Sequence, residues 1–112
     1  MIKELTKKGY RLATAKHIHE PNFTIDAKGK DTWRHAQAGA QITIGVSANE
    51  LATIKKADTR RYTLNDVIQS CEGNIDIIIL EGFRNLIAQD QTVLKVVTVK
   101  NQNEIYEAQK TI

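Results

Sequence analysis

A single carboxylate, Glu81, closes the most apolar run of the chain. Residues 77–80 are four consecutive aliphatic side chains, and Gly82 follows the acid directly. A run this short and apolar is typical of a buried parallel strand, which would carry Glu81 at its carboxyl end. Open α/β sheets bind ligands at that end, and in nucleotide-binding folds an acid there handles Mg²⁺ or the attacking water. The pattern therefore predicts that Glu81 faces a ligand; the alternative is a strand that simply ends there.

The second candidate site is a basic segment, residues 28–35, that passes from a loop into a helix. Helix N-termini attract anions because their backbone N–H groups are free and the helix dipole is positive there. Lys28 and Lys30 add positive charge at this point, and Arg34, one turn on, could bind a phosphate with two hydrogen bonds. Asp31 could instead serve as the N-cap of the helix. The segment predicts an anion site; a capping Asp31 and a solvated surface Arg34 are the alternatives.

Two histidines lie at the end of the first predicted strand, in the run Lys16-His17-Ile18-His19. A period of two places His17 and His19 on one face, so that they could bind a metal with His35 as a third ligand. No cysteine pair or carboxylate spacing supports such a metal site. A polar strand end at the rim of a cleft is the simpler interpretation.

Composition limits the classes of protein to which the chain can belong. It has 112 residues, 41% of them hydrophobic and 26% charged, which predicts one soluble globular domain over residues 1–112. The net charge is only +3 and no basic run alternates with aromatics, so we expect no nucleic-acid partner. The single cysteine, Cys71, favours a reducing compartment. No signal peptide begins at Met1 and no apolar run reaches membrane length, so we expect a cytoplasmic protein that binds no membrane.

Alternating strand and helix patterns predict an α/β fold with a mainly parallel sheet and flanking helices. Thr63 is predicted to cap one helix at its start, and Gly9 and Gly39 follow the ends of two others. The predicted helices are 2–8, 31–38, 64–71 and 103–110. The predicted strands are 10–18, 41–47, an antiparallel 51–56, 75–80 and 92–100.

Taken together, these segments resemble the molybdopterin-guanine dinucleotide biosynthesis protein B family. The resemblance covers about residues 2–100, and its motifs follow the family's order at nearly its spacing. They are GYR at 9–11, KHIH at 16–19, ID at 25–26, GKDTWR at 29–34, AGA at 38–40 and DIIILEGFR at 76–84. Each motif alone is weak, but the ordered set is specific. Members of this family are P-loop GTP-binding proteins that assist the attachment of GMP to molybdopterin alongside the guanylyltransferase.

The resemblance implies a P-loop NTPase-like domain and an accessory function in molybdenum cofactor biosynthesis. It implies GTP and Mg²⁺ as cofactors, with molybdopterin as a further ligand. It also implies that Glu81 lies at a Walker-B-like strand end, where it would hold the metal. Lys16, His17, Asp31 and Arg34 would then border the nucleotide or cofactor cleft. The implied partners are the molybdopterin guanylyltransferase or molybdoenzyme maturation proteins.

One motif of the family does not occur in these 112 residues. The phosphate-cradling loop G-x-x-x-x-G-K-[ST] is absent, and residues 2–8 correspond only to the end of the helix that follows it in the family. We therefore expect the first strand and its loop to be missing and GTP hydrolysis to be lost. Unpaired sheet edges would then favour a homo-oligomer such as a dimer.

Two hypotheses remain open at this point. In the first, the chain is a truncated member whose full form is a GTP-binding accessory protein. In the second, it is a complete adapter without a P-loop, which binds the cofactor or its biosynthetic enzymes without nucleotide chemistry. A stand-alone enzyme for another substrate is a weaker third hypothesis.

Overall fold

The computed structural model describes residues 1–96 and 102–103. Within them the chain forms two compact units, one of Met1–His17 with the described residues from Tyr62 onward, the other Ile18–Arg61. The elements, in chain order, are α1 (Ile2–Lys7), β1 (Leu12–Lys16), α2 (Asp31–Gln37), β2 (Ile42–Val46), β3 (Leu51–Lys55), α3 (Leu64–Ser70), β4 (Ile77–Glu81) and α4 (Arg84–Ile87). The predicted α/β class is confirmed.

In the first unit, β1 and β4 form a parallel pair in register from Leu12–Ile77 to Lys16–Glu81. Parallel strands need a crossover between them, and 60 residues separate the end of β1 from the start of β4. The four aliphatic residues 77–80 are half-buried rather than buried, so the strand is less covered than the run predicted. The parallel sheet is thus confirmed for this pair, and the absence of a further first strand remains a prediction.

An ion pair between Arg11 and Asp76 joins the starts of the two parallel strands. The backbone N–H of Arg11 donates to Asp76 Oδ2 at 2.8 Å, and the guanidinium donates to both carboxylate oxygens at 3.2 Å. The Asp76 backbone N–H returns a bond to the Arg11 carbonyl oxygen at 2.8 Å. These bonds, first from the guanidinium and then from the backbone, lower the pKa of Asp76 below its ordinary value.

Glycine ends the first helix where the sequence predicts it. Gly9 has a φ of +93°, and its N–H donates to the Thr6 carbonyl oxygen at 3.0 Å. The N–H of Tyr10 donates to the Leu5 carbonyl oxygen at 3.2 Å. This is the Schellman arrangement, which satisfies two free carbonyls and turns the chain out of the helix toward β1.

The cap of α3 is also as predicted. Thr63 Oγ1 accepts a hydrogen bond from the Asp66 N–H at 3.2 Å, and Asp66 Oδ2 accepts one from the Thr63 N–H at 2.8 Å. Two otherwise free donors are satisfied by this reciprocal capping box. The bond from the Thr63 N–H lowers the pKa of Asp66, and a second bond, which the Thr63 hydroxyl donates to Asp66 Oδ2 at 2.9 Å, lowers it further.

The second unit contains α2 and an antiparallel hairpin. β2 and β3 pair from Ile42–Lys55 to Val46–Leu51, which confirms the predicted antiparallel strand. The two strands form a sheet of their own within the described part of the chain, so the expectation of a mainly parallel sheet applies only to β1 and β4. The tight connection is closed by the Ser47 N–H, which donates to the Glu50 carbonyl oxygen at 2.9 Å.

The hairpin turns its apolar face outward. Ile42, Ile44 and Val46 are 53%, 55% and 75% exposed, whereas Thr43 between them is only 7% exposed. Thr43 and Gly45 share the opposite face with their cross-strand partners Ile54 and Ala52. We call this the inner face of the hairpin and the isoleucine side its outer face. In the described residues, no large apolar side chain is fully buried.

One cap assignment and one strand boundary need correction. α2 begins at Asp31 and its N-cap is Lys30, whose ψ of 159° is extended, so Asp31 is not the cap. β1 ends at Lys16 rather than residue 18, because its partner β4 ends at Glu81. The short helix α4 was not predicted.

The C-terminal predictions are only partly covered by the structure. Residues 92–96 do not form the strand predicted over 92–100, and 97–100 lie outside the described residues. Of the predicted helix 103–110, the structure describes only residue 103, which is helical together with residue 102. Over the described residues, no helix has the length and apolar character needed to cross a membrane.

Candidate functional site

The carboxyl ends of β1 and β4 bring two predicted site residues together. Lys16 and Glu81 are register partners at the last position of the pair, so their side chains leave the same face of the sheet. Both side chains are exposed. The two strand ends therefore present one cation and one carboxylate side by side at the edge where open α/β sheets bind ligands.

The residues that follow the two strands, His17 and Gly82, bring the strand ends close together. The His17 backbone N–H donates to the Glu81 carbonyl oxygen at 2.9 Å, which extends the ladder one step beyond Lys16. Gly82 then takes a φ of +83°, and a Cβ placed on it would lie 3.0 Å from the Cβ of His17. That distance is tighter than nine in ten real Cβ contacts, so a side chain at this position would push His17 away by a few tenths of an ångström. Glycine therefore suits both the positive φ and the close approach of the two segments.

Phe83 completes the turn from β4 into α4. It has a φ of +56°, the left-handed region that costs a side-chain-bearing residue about 1–2 kcal/mol. Its ring lies 5.4 Å from the His17 ring, centroid to centroid, with 32° between the planes, and such pairs stabilise by about 0.5–1.5 kcal/mol. We call the five residues of this edge the strand-end cluster: Lys16, His17, Glu81, Gly82 and Phe83.

The strand-end cluster fits part of a magnesium site. Mg²⁺ in nucleotide sites is bound by one or two carboxylates, with phosphate oxygens and water completing the octahedron. Glu81 supplies one exposed carboxylate of that kind. No group of three His, Cys, Asp or Glu side chains in the described residues could hold a metal by itself. The alternative of His17, His19 and His35 as a metal site therefore gains no support.

The basic segment lies in the second unit. Lys28 and Lys30 are exposed, and Gly29 between them has a φ of +91°. Arg34 donates to the Asp31 carboxylate one turn earlier, so part of its guanidinium is already used within the helix. With seven residues, α2 is also short. The structure places these charges along one loop and one helix turn, and their role in anion binding remains a prediction.

A hollow of about 350 Å³ lies against the inner face of the hairpin. Two of its lining residues carry buried oxygens without a hydrogen-bond partner, Asp26 Oδ2 and Thr43 Oγ1. The sequence indicated Asp26 only as part of the ID motif and gave no signal for Thr43. A threonine alternating with isoleucines is typical of a solvent-facing position, so only the packing of the hairpin reveals it.

The parallel strands, the helices and the Lys16–Glu81 pair at the strand ends define the class as an α/β protein with a charged carboxyl edge on its parallel strands. The family model described as "Molybdopterin guanine dinucleotide synthesis protein B" matches residues 1–112. The chain therefore belongs to this family, and the resemblance found in its ordered motifs is confirmed.

Two curated relatives match most of the chain. A protein of Methanocaldococcus jannaschii, provisionally named a molybdopterin-guanine dinucleotide biosynthesis adapter protein, is 33% identical over 107 residues, covering 92% of this chain and 42% of the relative. The molybdopterin-guanine dinucleotide biosynthesis adapter protein of Haemophilus influenzae is 29% identical over 85 residues, covering 75% of this chain and 47% of the relative. The matches thus span less than half the length of either relative.

Proposed function

We propose that the chain acts as an accessory protein in the conversion of molybdopterin to molybdopterin guanine dinucleotide. The observation that carries this proposal is the family match over all 112 residues, together with a charged strand end at the edge where such a fold would bind its ligand. The adapter names of both relatives support the same role.

The strand-end cluster is the proposed nucleotide-facing site. Lys16 would attract a phosphate, Glu81 would hold Mg²⁺, and Gly82 would fix the distance between the two strand ends. A bound Mg²⁺ would neutralise phosphate charge there. Lys28, Lys30 and Arg34 are proposed to hold an anionic group of the nucleotide or of molybdopterin, with Asp31 orienting Arg34 through their ion pair.

A second candidate is an adapter that works without nucleotide chemistry. It is supported by the adapter names of both relatives. The 112 residues contain no G-x-x-x-x-G-K-[ST], the loop whose lysine and hydroxyl position phosphates and Mg²⁺. Under either candidate we expect no measurable GTP hydrolysis by these 112 residues. GTP retention separates the two: only the first expects Mg²⁺-dependent binding, measured by equilibrium dialysis.

The proposed partners follow from the reaction. The molybdopterin guanylyltransferase makes the dinucleotide and molybdoenzyme maturation proteins receive it, so an accessory protein would contact one of these. We place the protein in the cytoplasm with them, and we propose that it is a homo-oligomer.

The direct test of the function is a rate measurement. Purified guanylyltransferase, molybdopterin and GTP are incubated with and without the chain, and dinucleotide formation is followed by chromatography. The proposal expects faster formation, or formation at lower GTP, when the chain is present. Unchanged rates over a hundredfold range of chain concentration would contradict it.

A further inference from the structure

The hollow of the second unit is a candidate binding site, and it shares no residue with the strand-end cluster. Its floor is the inner face of the hairpin, and its wall comes from the loop before α2. Its lining includes Asp26, Lys30, Thr43, Ala52 and Ile54. Its volume of about 350 Å³ falls at the lower end of the range of small-molecule pockets, roughly 300–1,000 Å³.

Two unpaired oxygens single this hollow out. Asp26 Oδ1 accepts a hydrogen bond from the Ala27 N–H at 2.9 Å, but Oδ2 is buried and has no partner. Thr43 Oγ1 is also buried and without a hydrogen-bond partner, on a residue that is only 7% exposed. Buried polar groups nearly always form hydrogen bonds, because a buried donor or acceptor without a partner costs free energy. Both oxygens belong to residues that line one hollow, and each would gain a hydrogen bond if its side chain turned toward a ligand there.

The lining defines the chemistry of that ligand. Asp26 offers a carboxylate oxygen, which can only accept hydrogen bonds when ionised, so the ligand must present N–H or O–H donors. Thr43 offers a hydroxyl that can donate or accept, and Lys30 offers donors for a ligand oxygen. Ala52 and Ile54 give the floor an apolar surface suited to a flat ring. The complement is a planar heterocycle with adjacent N–H donors and a carbonyl oxygen.

We propose that this hollow binds the 2-amino-4-oxo-pyrimidine ring that guanine and pterin have in common. Its ring N–H and amino group would donate to Asp26, and its carbonyl would accept from Lys30. The choice of ring rests on the proposed function, because both halves of a molybdopterin guanine dinucleotide carry it. The two oxygens are shielded in the structure, so binding requires the Asp26 and Thr43 side chains to rotate toward the ring as it enters.

Binding to the 112-residue chain tests the proposal without any partner enzyme. Guanosine and adenosine are titrated calorimetrically, and free pterin is followed by its fluorescence. We expect guanosine, pterin or both to bind, and adenosine, which lacks this donor edge, to bind at least tenfold more weakly. Binding of guanosine alone assigns the hollow to the nucleotide half, and binding of pterin alone assigns it to the cofactor half. Failure of both to bind, or equal binding of adenosine, overturns the proposal.

Matched variants localise the binding. Asp26→Asn should weaken it tenfold or more, while Asp58→Asn, an exposed aspartate outside the hollow, should not change it. Thr43→Val should weaken binding several-fold without lowering the urea midpoint of unfolding, since it removes an unpaired hydroxyl. Thr53→Val, on the exposed outer face, is its control.

Unchanged affinity in both Asp26→Asn and Thr43→Val would place the ligand elsewhere and overturn the assignment. This result stands apart from the rate assay with the guanylyltransferase. The chain could accelerate dinucleotide formation and still bind no ring in the hollow, in which case only this inference fails. If the ring binds but the rate is unchanged, the proposed function fails instead.

Discussion

At the scale of single residues, the strand-end cluster depends on a glycine that the sequence places directly after an acid. The segment 76–84 was predicted to deliver Glu81 to a ligand-binding edge, and the register with Lys16 confirms its position in the sheet. The role of Gly82 could not be read from the sequence, because it depends on how closely His17 passes on the neighbouring strand. Thr43 escaped prediction for a similar reason, since its burial depends on which face of the hairpin the rest of the unit covers.

Gly82→Ala should destabilise the protein more than Gly9→Ala does. Both glycines have similar positive φ values, +83° and +93°, so both substitutions carry the left-handed penalty of about 1–2 kcal/mol. Only at Gly82 does the new Cβ also meet another atom, His17 Cβ at 3.0 Å, whereas nothing lies within 4 Å of the Gly9 position. Urea unfolding of both variants gives the comparison. Equal losses of unfolding free energy would show that the close approach is unimportant.

At the scale of elements, the caps at Gly9 and Thr63 agree with the sequence, whereas the cap of α2 and the strand ends agree less well. The Schellman turn at Gly9 and the capping box at Thr63 are local, so the sequence alone determines them. Strand length is set by the partner: β1 was predicted to reach residue 18 but stops where β4 stops. α4 has only four residues, too few for a periodic pattern to reveal.

The parallel pair should lose stability in acid through Asp76. Arg11 lowers the pKa of this carboxyl below its ordinary value of 3.8, so the ionised form favours the folded state. Its contribution is complete above the unfolded-state pKa and is lost as the pH falls through the lower folded-state pKa. Urea unfolding of wild type and Asp76→Asn at pH 7 and pH 2 measures it.

We expect Asp76→Asn to be less stable than wild type at pH 7 and the difference to shrink at pH 2. Asp58→Asn is a suitable comparison, because Asp58 pairs with Arg60 only two residues away and joins no strands. A difference between wild type and Asp76→Asn that stays constant with pH would show that the ion pair does not link the two strands.

At the scale of the whole molecule, the described chain leaves much apolar surface and many strand edges uncovered. Each described sheet has two strands, so every strand has one edge without a partner in its sheet, and such edges pair readily with other chains. The outer face of the hairpin adds three exposed large aliphatic side chains, Ile42, Ile44 and Val46. Soluble monomers seldom expose a contiguous apolar surface of this kind without a use for it.

We therefore predict that the chain self-associates at micromolar concentration and that the outer face contributes. Ile44→Thr keeps a β-branched side chain but removes apolar surface, so it should shift the equilibrium toward monomer. Ile25→Thr, at a loop residue that is 82% exposed, is the control and should have little effect. Sedimentation velocity reports both. A wild-type chain that sediments as one monomeric boundary would refute the prediction.

The central claim is that the strand-end cluster is the working site of an accessory protein for dinucleotide synthesis. The most direct measurement compares Glu81→Gln with Glu72→Gln in the guanylyltransferase rate assay. Both substitutions remove one exposed carboxylate, but only Glu81 lies at the end of β4 opposite Lys16. The account predicts that Glu81→Gln reduces the stimulation at least tenfold while Glu72→Gln retains it. Full stimulation by a folded Glu81→Gln chain would contradict the claim.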